Sequence, residues 1–380
     1  MRLRVALAFA LLLAPAGAAG AASPPPFAAK AVLVADGQTG EILYSYNADA
    51  RLPMASITKV MTALVVLERA RPGELVTVGR QAPAVGEASI GLREGEQLSV
   101  RDLLAAALIP SANDAAYALA SYVGEGSAEK FVALMNERAE KLGLSNTRYV
   151  RPDGLDVAGH YSSARDIFAL ARVAMRKPLF RKLVKKKAIT IAGGRRVYTR
   201  NDLLRSFPGT IGVKTGQTEG AGWSEVAAAR RDGVTIYAVL LGGPSRAQRD
   251  EDLEELLSWG FDQYGRVQLV VASRTYATAA VPFSGRRLRL VAAFPLSRVV
   301  RLGHPVVERV VAPAMVRLPV RYGDPLGRVC VTVEKRAYCR RLVAAESIAA
   351  PGIAARLSWY AGHALDGAGA MLSSVFGGIL

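Results

Sequence analysis

The sequence predicts an α/β domain built on an antiparallel five-stranded sheet, followed by a small all-β domain and a C-terminal amphipathic helix. Three observations lead to this fold class. Two β-type runs near the N-terminus and three between residues 210 and 241 enclose a series of helical segments. After residue 264 the helical periodicity stops, and short β-type runs alternate with Gly and Pro. From residue 355 to 380 apolar residues recur at helical spacing.

The composition describes a globular, exported and strongly basic protein. Its 380 residues are 51% hydrophobic and leave room for about two domains. Arg2 and Arg4, an apolar run too short to span a bilayer and then small residues predict a secretory signal peptide over 1–22. A net charge of +17 on an exported chain indicates anionic envelope polymers or lipid head groups as partners. No nucleic-acid motif is present, so we expect no nucleic-acid partner.

The elements of the first domain, 27–264, follow from periodicity and turn residues. Asp36-Gly37 and the residues after it form a turn between the first two strands. Residues 75–95 are predicted to be a covering loop, because Gly and Pro interrupt any periodicity. The predicted strands are Ala31–Ala35, Glu41–Tyr46, Thr210–Thr218, Ser224–Arg230 and Val234–Leu241. The predicted helices are 55–68, Val100–Leu108, Asp114–Tyr122, Lys130–Leu142, Ser162–Met175 and Arg246–Tyr264.

The second domain, 265–348, is predicted from short β-type runs. These runs are Val267–Val271, Arg287–Ala293, Val306–Val311, Val316–Arg321 and Arg328–Glu334. If Glu334 and Lys335 form a two-residue turn, Cys330 and Cys339 face each other across a hairpin. Export permits a disulfide there, and two free thiols are the alternative.

Ser56 and Lys59 are the first candidates for catalysis. Pro53 precedes a helical pattern, so Ser56 is expected in the first turn, where backbone N–H groups have no partner inside the helix. Lys59, three residues on, shares a face with the serine hydroxyl and can act as its base. Taken alone the spacing is common, because Ser127 and Lys130 repeat it. A single match of this kind usually describes a serine and a lysine on the surface.

Two further motifs follow Ser56 and Lys59 in the chain. Ser111 and Asn113 interrupt a helical pattern after Pro110, and Lys214-Thr215-Gly216 lies in a predicted strand. Ser-x-x-Lys, Ser-x-Asn and Lys-Thr-Gly in this order are the signature of penicillin-binding proteins and class A β-lactamases. Over residues 27–348 the chain resembles the low-molecular-mass penicillin-binding proteins that are D-alanyl-D-alanine carboxypeptidases. The resemblance rests on 53–59, 111–115, Gly154-Leu155, 159–162, 164–166 and 212–218.

This resemblance implies a penicillin-binding-protein/β-lactamase-like transpeptidase fold for 27–264, with the β-rich domain and a membrane-binding helix after it. It also implies the roles of the motif residues. Ser56 would attack the carbonyl of the penultimate D-alanine, and a neutral Lys59 would take the hydroxyl proton. Burial and the nearby cation Lys214 would lower the Lys59 pKa. Ser111 would relay the proton to the leaving amine, and Asn113 would hold the substrate amide.

The strand residues would bind the rest of the substrate. Lys214 and Thr215 would bind the terminal carboxylate of the peptide, and Gly216 would leave room for the peptide along the strand. The backbone N–H groups of Ser56 and Gln217 would form the oxyanion hole, and Thr218 completes the substrate-binding strand. The implied substrates are peptidoglycan stem peptides, with β-lactams as inhibitors. No metal or cofactor is expected, since the three histidines are too scattered for a zinc site.

Several alternatives remain open from the sequence. A class A β-lactamase needs a glutamate for deacylation, and the loop at 151–156 supplies only Asp153 and Asp156. A D,D-transpeptidase or endopeptidase could use the same residues, and an inactive wall-binding scaffold is a further possibility. His160 is either the loop histidine of the family or a structural histidine.

The tail, 355–380, is predicted to lie in the membrane interface. His363 and Asp366 lie within it and oppose a spanning helix. The alternative is a helix packed on the protein's own β domain. An interfacial tail would hold the enzyme on the outer face of the cytoplasmic membrane, next to the cell wall.

Overall fold

The structure, a computed structural model, describes residues 23–333 and 336–361. The chain falls into two compact units, one over Ala22–Gln263 and one that begins at Tyr264. The predicted signal peptide, 1–22, lies outside the described residues, and so does the part of the predicted tail helix over 362–380.

The first unit is built on a five-stranded antiparallel sheet with the strand order β2-β1-β9-β8-β7. All six residues of β1 are buried, because helices cover both faces of the sheet. The predicted five-stranded sheet is confirmed. The strands are β1 (Ala31–Asp36), β2 (Ile42–Tyr46), β3 (Leu75–Thr77), β4 (Gln97–Ser99), β5 (Ala188–Thr190), β6 (Arg196–Tyr198), β7 (Thr210–Thr218), β8 (Gly222–Arg231) and β9 (Val234–Gly243). Two-stranded ribbons β3-β4 and β5-β6 were not predicted, since each strand has only three residues.

The helices of the first unit begin where the sequence places capping residues. Ser99, Ser163 and Ser245 each accept a hydrogen bond from a backbone N–H three residues on. The helices are α1 (Lys59–Arg69), α2 (Val100–Leu108), α3 (Asn113–Val123), α4 (Ala128–Lys141), α5 (Ala164–Ala174), α6 (Pro178–Val184), α7 (Leu203–Ser206) and α8 (Arg246–Asp262).

The prediction of one continuous helix from residue 55 is wrong. Residues Ala55–Thr58 form a 3₁₀ turn, and the α-helix begins only at Lys59. A Cβ on Gly154 would lie 2.0 Å from the Ala55 carbonyl oxygen, so the loop after α4 presses on this turn. Tertiary packing therefore shapes the turn, and the local sequence pattern does not report it.

The second unit contains a five-stranded sheet and a two-stranded sheet. The strands are β10 (Tyr264–Val270), β11 (Thr275–Ala280), β12 (Arg287–Ala292), β13 (Leu296–Arg301), β14 (Val307–Val311), β15 (Pro325–Val333) and β16 (Arg336–Ala344). The larger sheet has the order β11-β12-β16-β15-β14, and β10 pairs with β13. Its core includes Leu288, Leu290, Val329, Val331 and Leu342, all fully buried.

The predicted strand Val316–Arg321 is wrong. Pro319 cannot donate to a ladder, and the segment makes only isolated bridges at Met315 and Val320. Three strands were missed, namely β11, β13 and β16. Cys330 pairs with Cys339 across β15 and β16, and the two form a disulfide, which settles the alternative left open by the sequence.

Residues 353–361 form the described part of the C-terminal helix. Trp359 and Tyr360 pack on the Phe283 ring, with centroids 5.8 and 5.7 Å away. Ile353 and Leu357 on the same helix are exposed. Within the described residues no helix is long and apolar enough to cross a membrane.

Candidate active site

A pocket of about 490 Å³ opens beside β7, and it is lined by seven of the nine residues predicted for the site. These are Ser56, Ser111, Asn113, Thr215, Gly216, Gln217 and Thr218. The other two, Lys59 and Lys214, lie behind the pocket wall with exposed fractions of 0% and 2%. Tertiary folding thus brings together three motifs that are separated by about fifty and one hundred residues of sequence.

Lys59 contacts three oxygen atoms at hydrogen-bond distance. Its Nζ lies 2.8 Å from the Ser56 Oγ, 2.6 Å from the Asn113 Oδ1 and 2.6 Å from the Asp153 carbonyl oxygen. Burial lowers the Lys59 pKa to about 7, against the opposing charge of Asp153, and Arg200 adds to the lowering. A lysine that titrates near neutrality, next to a serine hydroxyl, has the properties of a general base.

Lys214 lies on the other side of the site, against Ser111. Its Nζ donates to the Ser111 Oγ at 2.9 Å and to the Thr215 carbonyl oxygen at 2.8 Å. Burial holds the Lys214 pKa well below its usual value, and the charge of Lys59 lowers it further. The cations that lower the Lys59 pKa are Arg200 and Arg151, and Lys214, which the sequence analysis expected to lower it, is not among them.

Gly216 allows β7 to approach the serine closely. A Cβ at this position would lie 2.8 Å from the Met54 carbonyl oxygen and 3.2 Å from the Ser56 nitrogen. Those distances leave no space for any side chain. The glycine of the third motif is therefore required by packing between β7 and the turn that contains Ser56.

Two residues of the site have unusual backbone conformations. Ala55, just before Ser56, has a φ of 48°, and Ser111 has a φ of 70°. Non-glycine residues rarely occupy this region, and the strain concentrates at functional sites where the surrounding structure enforces it.

The loop at 151–156 forms one wall of the site, and its carboxylates are both engaged. Asp153 is fully buried and accepts two hydrogen bonds from Arg151, at 2.8 and 2.9 Å. Asp156 accepts from the Thr218 hydroxyl at 2.8 Å and from the Gly220 N–H at 2.9 Å. Each carboxylate therefore has a structural task in the loop or in the β7–β8 turn.

His160 joins the residue that precedes this loop to the turn that contains Ser56. Its Nδ1 accepts the Val150 N–H at 3.0 Å, so the proton resides on Nε2, which lies 2.8 Å from the Thr58 Oγ1 and donates to it. Burial lowers the His160 pKa to about 4. The ring is thus neutral and fully hydrogen-bonded, as expected of the structural alternative.

The sequence analysis missed several residues that line the pocket. They are Glu87, Ala88, Leu155, Arg200, Trp223, Arg246 and Arg249. Behind the wall, the Arg249 Nε lies 3.3 Å from the Glu225 carboxylate, and burial raises the Glu225 pKa to about 8. Arginines are frequent in this chain, so no local signal distinguishes these three from the others.

The second Ser-x-x-Lys match has a structural role. The Ser127 Oγ accepts the Lys130 N–H at 3.1 Å and caps α4. Neither residue lines the pocket that contains Ser56.

The fold and the site together define a penicillin-recognising active-serine hydrolase, with an antiparallel sheet, a pocket serine in contact with a buried lysine, and a β-strand beside them. The family model described as D-alanyl-D-alanine carboxypeptidase, peptidase S11, matches residues 18–245. The chain belongs to this family of low-molecular-mass penicillin-binding proteins, which are serine carboxypeptidases.

Similar proteins agree with this assignment. D-alanyl-D-alanine carboxypeptidase DacC of Escherichia coli (strain K12) is 36% identical over 294 residues, 73% of each chain. The structure is similar to penicillin binding protein 5 of Haemophilus influenzae, with a TM-score of 0.63 and 27% identity, over 87% of this chain and 100% of the other. It is also similar to the Streptomyces K15 DD-transpeptidase, with a TM-score of 0.60 and 34% identity, over 63% of this chain and 100% of the other.

Proposed function

We propose that this protein removes the terminal D-alanine from peptidoglycan stem pentapeptides through an acyl-enzyme on Ser56. The contact between the Ser56 hydroxyl and a buried Lys59 with a pKa near 7 carries the proposal. Family membership supports the same reaction.

The hydrogen bonds of Lys59 indicate which way its proton moves. Two of its three partners, the Asn113 Oδ1 and the Asp153 carbonyl oxygen, can only accept. A neutral amine has two hydrogens for these two acceptors and one lone pair. That lone pair faces the Ser56 hydroxyl, which can therefore donate its proton to Lys59 as Oγ attacks the substrate carbonyl.

The reaction then proceeds in two steps. In the first, the Ser56 Oγ–carbon bond forms, the C–N bond to the last D-alanine breaks, and the proton reaches the leaving amine through Ser111. In the second, water attacks the ester and releases the shortened peptide and Ser56. The backbone N–H groups of Ser56 and Gln217 stabilise the oxyanion of both steps.

The terminal carboxylate is bound by Lys214 and Thr215. Lys214 is buried with a lowered pKa, and an arriving carboxylate favours its charged form. The pocket arginine Arg200 adds positive potential around it, whereas Arg246 and Arg249 are paired with Asp202 and Asp250. Asn113 uses one of its two amide hydrogens on the Gly86 carbonyl oxygen, which leaves the other for the substrate amide.

The engaged loop carboxylates favour a carboxypeptidase over a class A β-lactamase. Asp153 and Asp156 are held by Arg151 and by the β7–β8 turn, so neither is free to activate water for rapid deacylation. A D,D-transpeptidase would share the acylation step and differ only in the amine that accepts the acyl group.

The direct test is mass spectrometry of purified protein incubated with a pentapeptide ending in D-Ala-D-Ala. We expect release of one D-alanine by the natural chain and none by the Ser56→Ala variant. Ser127→Ala is the matched control and retains full activity. A product from the Ser56→Ala variant, or dependence on Ser127, would overturn the assignment.

We also propose that the protein is exported and that its tail, 355–380, binds the outer face of the cytoplasmic membrane. Exposed Ile353 and Leu357 on the described helix supply apolar contacts for an interface. A chain that ends at Pro351 should stay active on the soluble pentapeptide and remain in solution, whereas the full chain should float with liposomes. A full chain that ignores liposomes would exclude the anchor.

A further inference from the structure

The larger sheet of the second unit presents a row of arginines to solvent. Four consecutive strands, in the order β12-β16-β15-β14, each contribute an exposed arginine to this row: Arg289, Arg341, Arg328 and Arg309. Arg341 is directly opposite Arg328. Arg309 is opposite Cys330, which lies two residues after Arg328 on β15 and therefore on the same side of the sheet. Leu290 pairs with Ala344, which places Arg289 on the same side as Arg341. We call these four arginines the arginine face.

The arginine face has no counter-charge among the described residues. No ion pair between described residues includes any of its four members. The wider segment is equally unbalanced, because residues 264–361 contain sixteen Lys and Arg against four Asp and Glu. Most of the net charge of +17 therefore comes from this segment.

The strand register forces two of these charges together. Like charges directly opposite each other on antiparallel strands are destabilising, and Arg328 and Arg341 form such a pair. The disulfide between Cys330 and Cys339 joins the next pair on the same side of the sheet. It holds the strands in the register that keeps the two guanidinium groups side by side, an arrangement that suits an external anion.

The chemistry of the face indicates the class of anion. Fifteen of the sixteen cationic residues of the segment are arginine, whose planar fork binds carboxylates and phosphates through two hydrogen bonds. Carboxylates are the groups that the stem peptides of the proposed function carry. Membrane surfaces are bound by apolar and aromatic side chains together with basic ones. Apart from exposed Arg287 on β12, the residues that share the face with these arginines are small or β-branched, such as Val291, Thr332, Ala337 and Val343.

We propose that the arginine face is a docking surface for the carboxylate-bearing peptides of the cell-wall polymer. The arginine face contains no residue of the candidate active site. It therefore binds the polymer whether or not the bound stretch of polymer is being cleaved. The proposal goes beyond the proposed function, since a protein that lacks the Ser56 hydroxyl would still dock.

The test is co-sedimentation of the full chain with insoluble peptidoglycan from which phosphate-bearing polymers have been removed. One variant replaces the arginine face by Gln at 289, 309, 328 and 341. The matched control removes the same number of charges from exposed lysines elsewhere, with the substitutions Lys182→Gln, Lys185→Gln, Lys186→Gln and Lys187→Gln. We expect the affinity to fall about tenfold or more for the face variant and less than about twofold for the control.

Two further measurements test whether the bound anion is a carboxylate and whether it belongs to the wall polymer or to a lipid. Conversion of the polymer carboxylates to amides should remove the difference between the natural chain and the face variant. Flotation with anionic phospholipid vesicles should be the same for both. The proposal would be overturned if the two fourfold Gln variants lost polymer affinity equally, or if the face variant bound the polymer as tightly as the natural chain. It would also be overturned if the face variant lost binding only to vesicles.

Correct folding of the second unit is checked by circular dichroism and thermal unfolding of every variant, because the four arginines lie in that unit. Hydrolysis of the soluble pentapeptide, which reports the first unit, should proceed at the natural rate in every variant. The single change Arg341→Gln provides a second route, because it removes the repulsion with Arg328 and should leave the fold at least as stable. It should still weaken polymer binding by about threefold. Unchanged binding by this variant, together with a folded and unimpaired fourfold variant, would contradict the docking role.

Discussion

The pH dependence of acylation tests the central physical claim about Lys59. Burial lowers the pKa of this lysine from 10.5 to about 7. The difference corresponds to roughly 5 kcal/mol between the charged and neutral forms. At pH 7 about half of the Lys59 side chains are then neutral, whereas an ordinary lysine would be neutral in only about three molecules in ten thousand.

We therefore expect kcat/KM for the pentapeptide to reach a plateau above pH 7 and to fall about tenfold per pH unit below it. At pH 5 roughly 1% of the plateau activity should remain. The profile should be measured with a soluble substrate whose own groups do not titrate between pH 5 and 9. The midpoint of the acid limb then reports the Lys59 pKa of the free enzyme.

Arg200→Gln should move that midpoint. The Arg200 charge lowers the Lys59 pKa, so its removal should raise the midpoint, by about half a pH unit for an exposed and screened cation. Arg196→Gln is the matched control, since Arg196 is also exposed but is not among the charges that act on Lys59. A midpoint near pH 10 in the natural enzyme, a downward shift with Arg200→Gln, or an equal shift with Arg196→Gln would refute the reasoning.

Four further predictions follow from the site. Lys214→Ala should lose a charge-assisted contact worth roughly 1.5–3 kcal/mol, seen as a lower kcat/KM for peptides with a free terminal carboxylate but not for amidated ones. Gly216→Ala should lower activity at least about a hundredfold and also lower the melting temperature, because the new methyl group would displace the Met54 carbonyl oxygen. A chromogenic cephalosporin should give a stable adduct with slow turnover, and rapid turnover would favour a β-lactamase. His160 titrates near 4 when folded and near 6.5 otherwise, so the unfolded chain binds more protons between these values, and about 3 kcal/mol of stability is lost as the pH falls through that window. In denaturant unfolding, the His160→Gln variant should not show this loss of stability between pH 6.5 and 4.

Local chemistry in the sequence determined the order of the elements and most of their boundaries. Apolar residues at helical spacing located the helices of the first unit, and alternating apolar runs located its sheet strands. The strand predicted over Val316–Arg321 is wrong although the sequence contains the contrary signal, because Pro319 has no N–H to donate to a strand ladder. The strand β16 was missed because its polar residues and arginines mask the alternation, and pairing with β15 decides its structure.

The three motifs of the site were also readable from the sequence, because each combines a particular residue type with a short, fixed spacing. The buried state of Lys59, and therefore its pKa near 7, is a property of the surrounding shell that only the folded chain assembles. The same holds for the engagement of both loop carboxylates and for the pocket position of Arg249. Spacing along the chain specifies which groups are available, whereas desolvation and charge–charge distances arise from contacts between residues far apart in sequence.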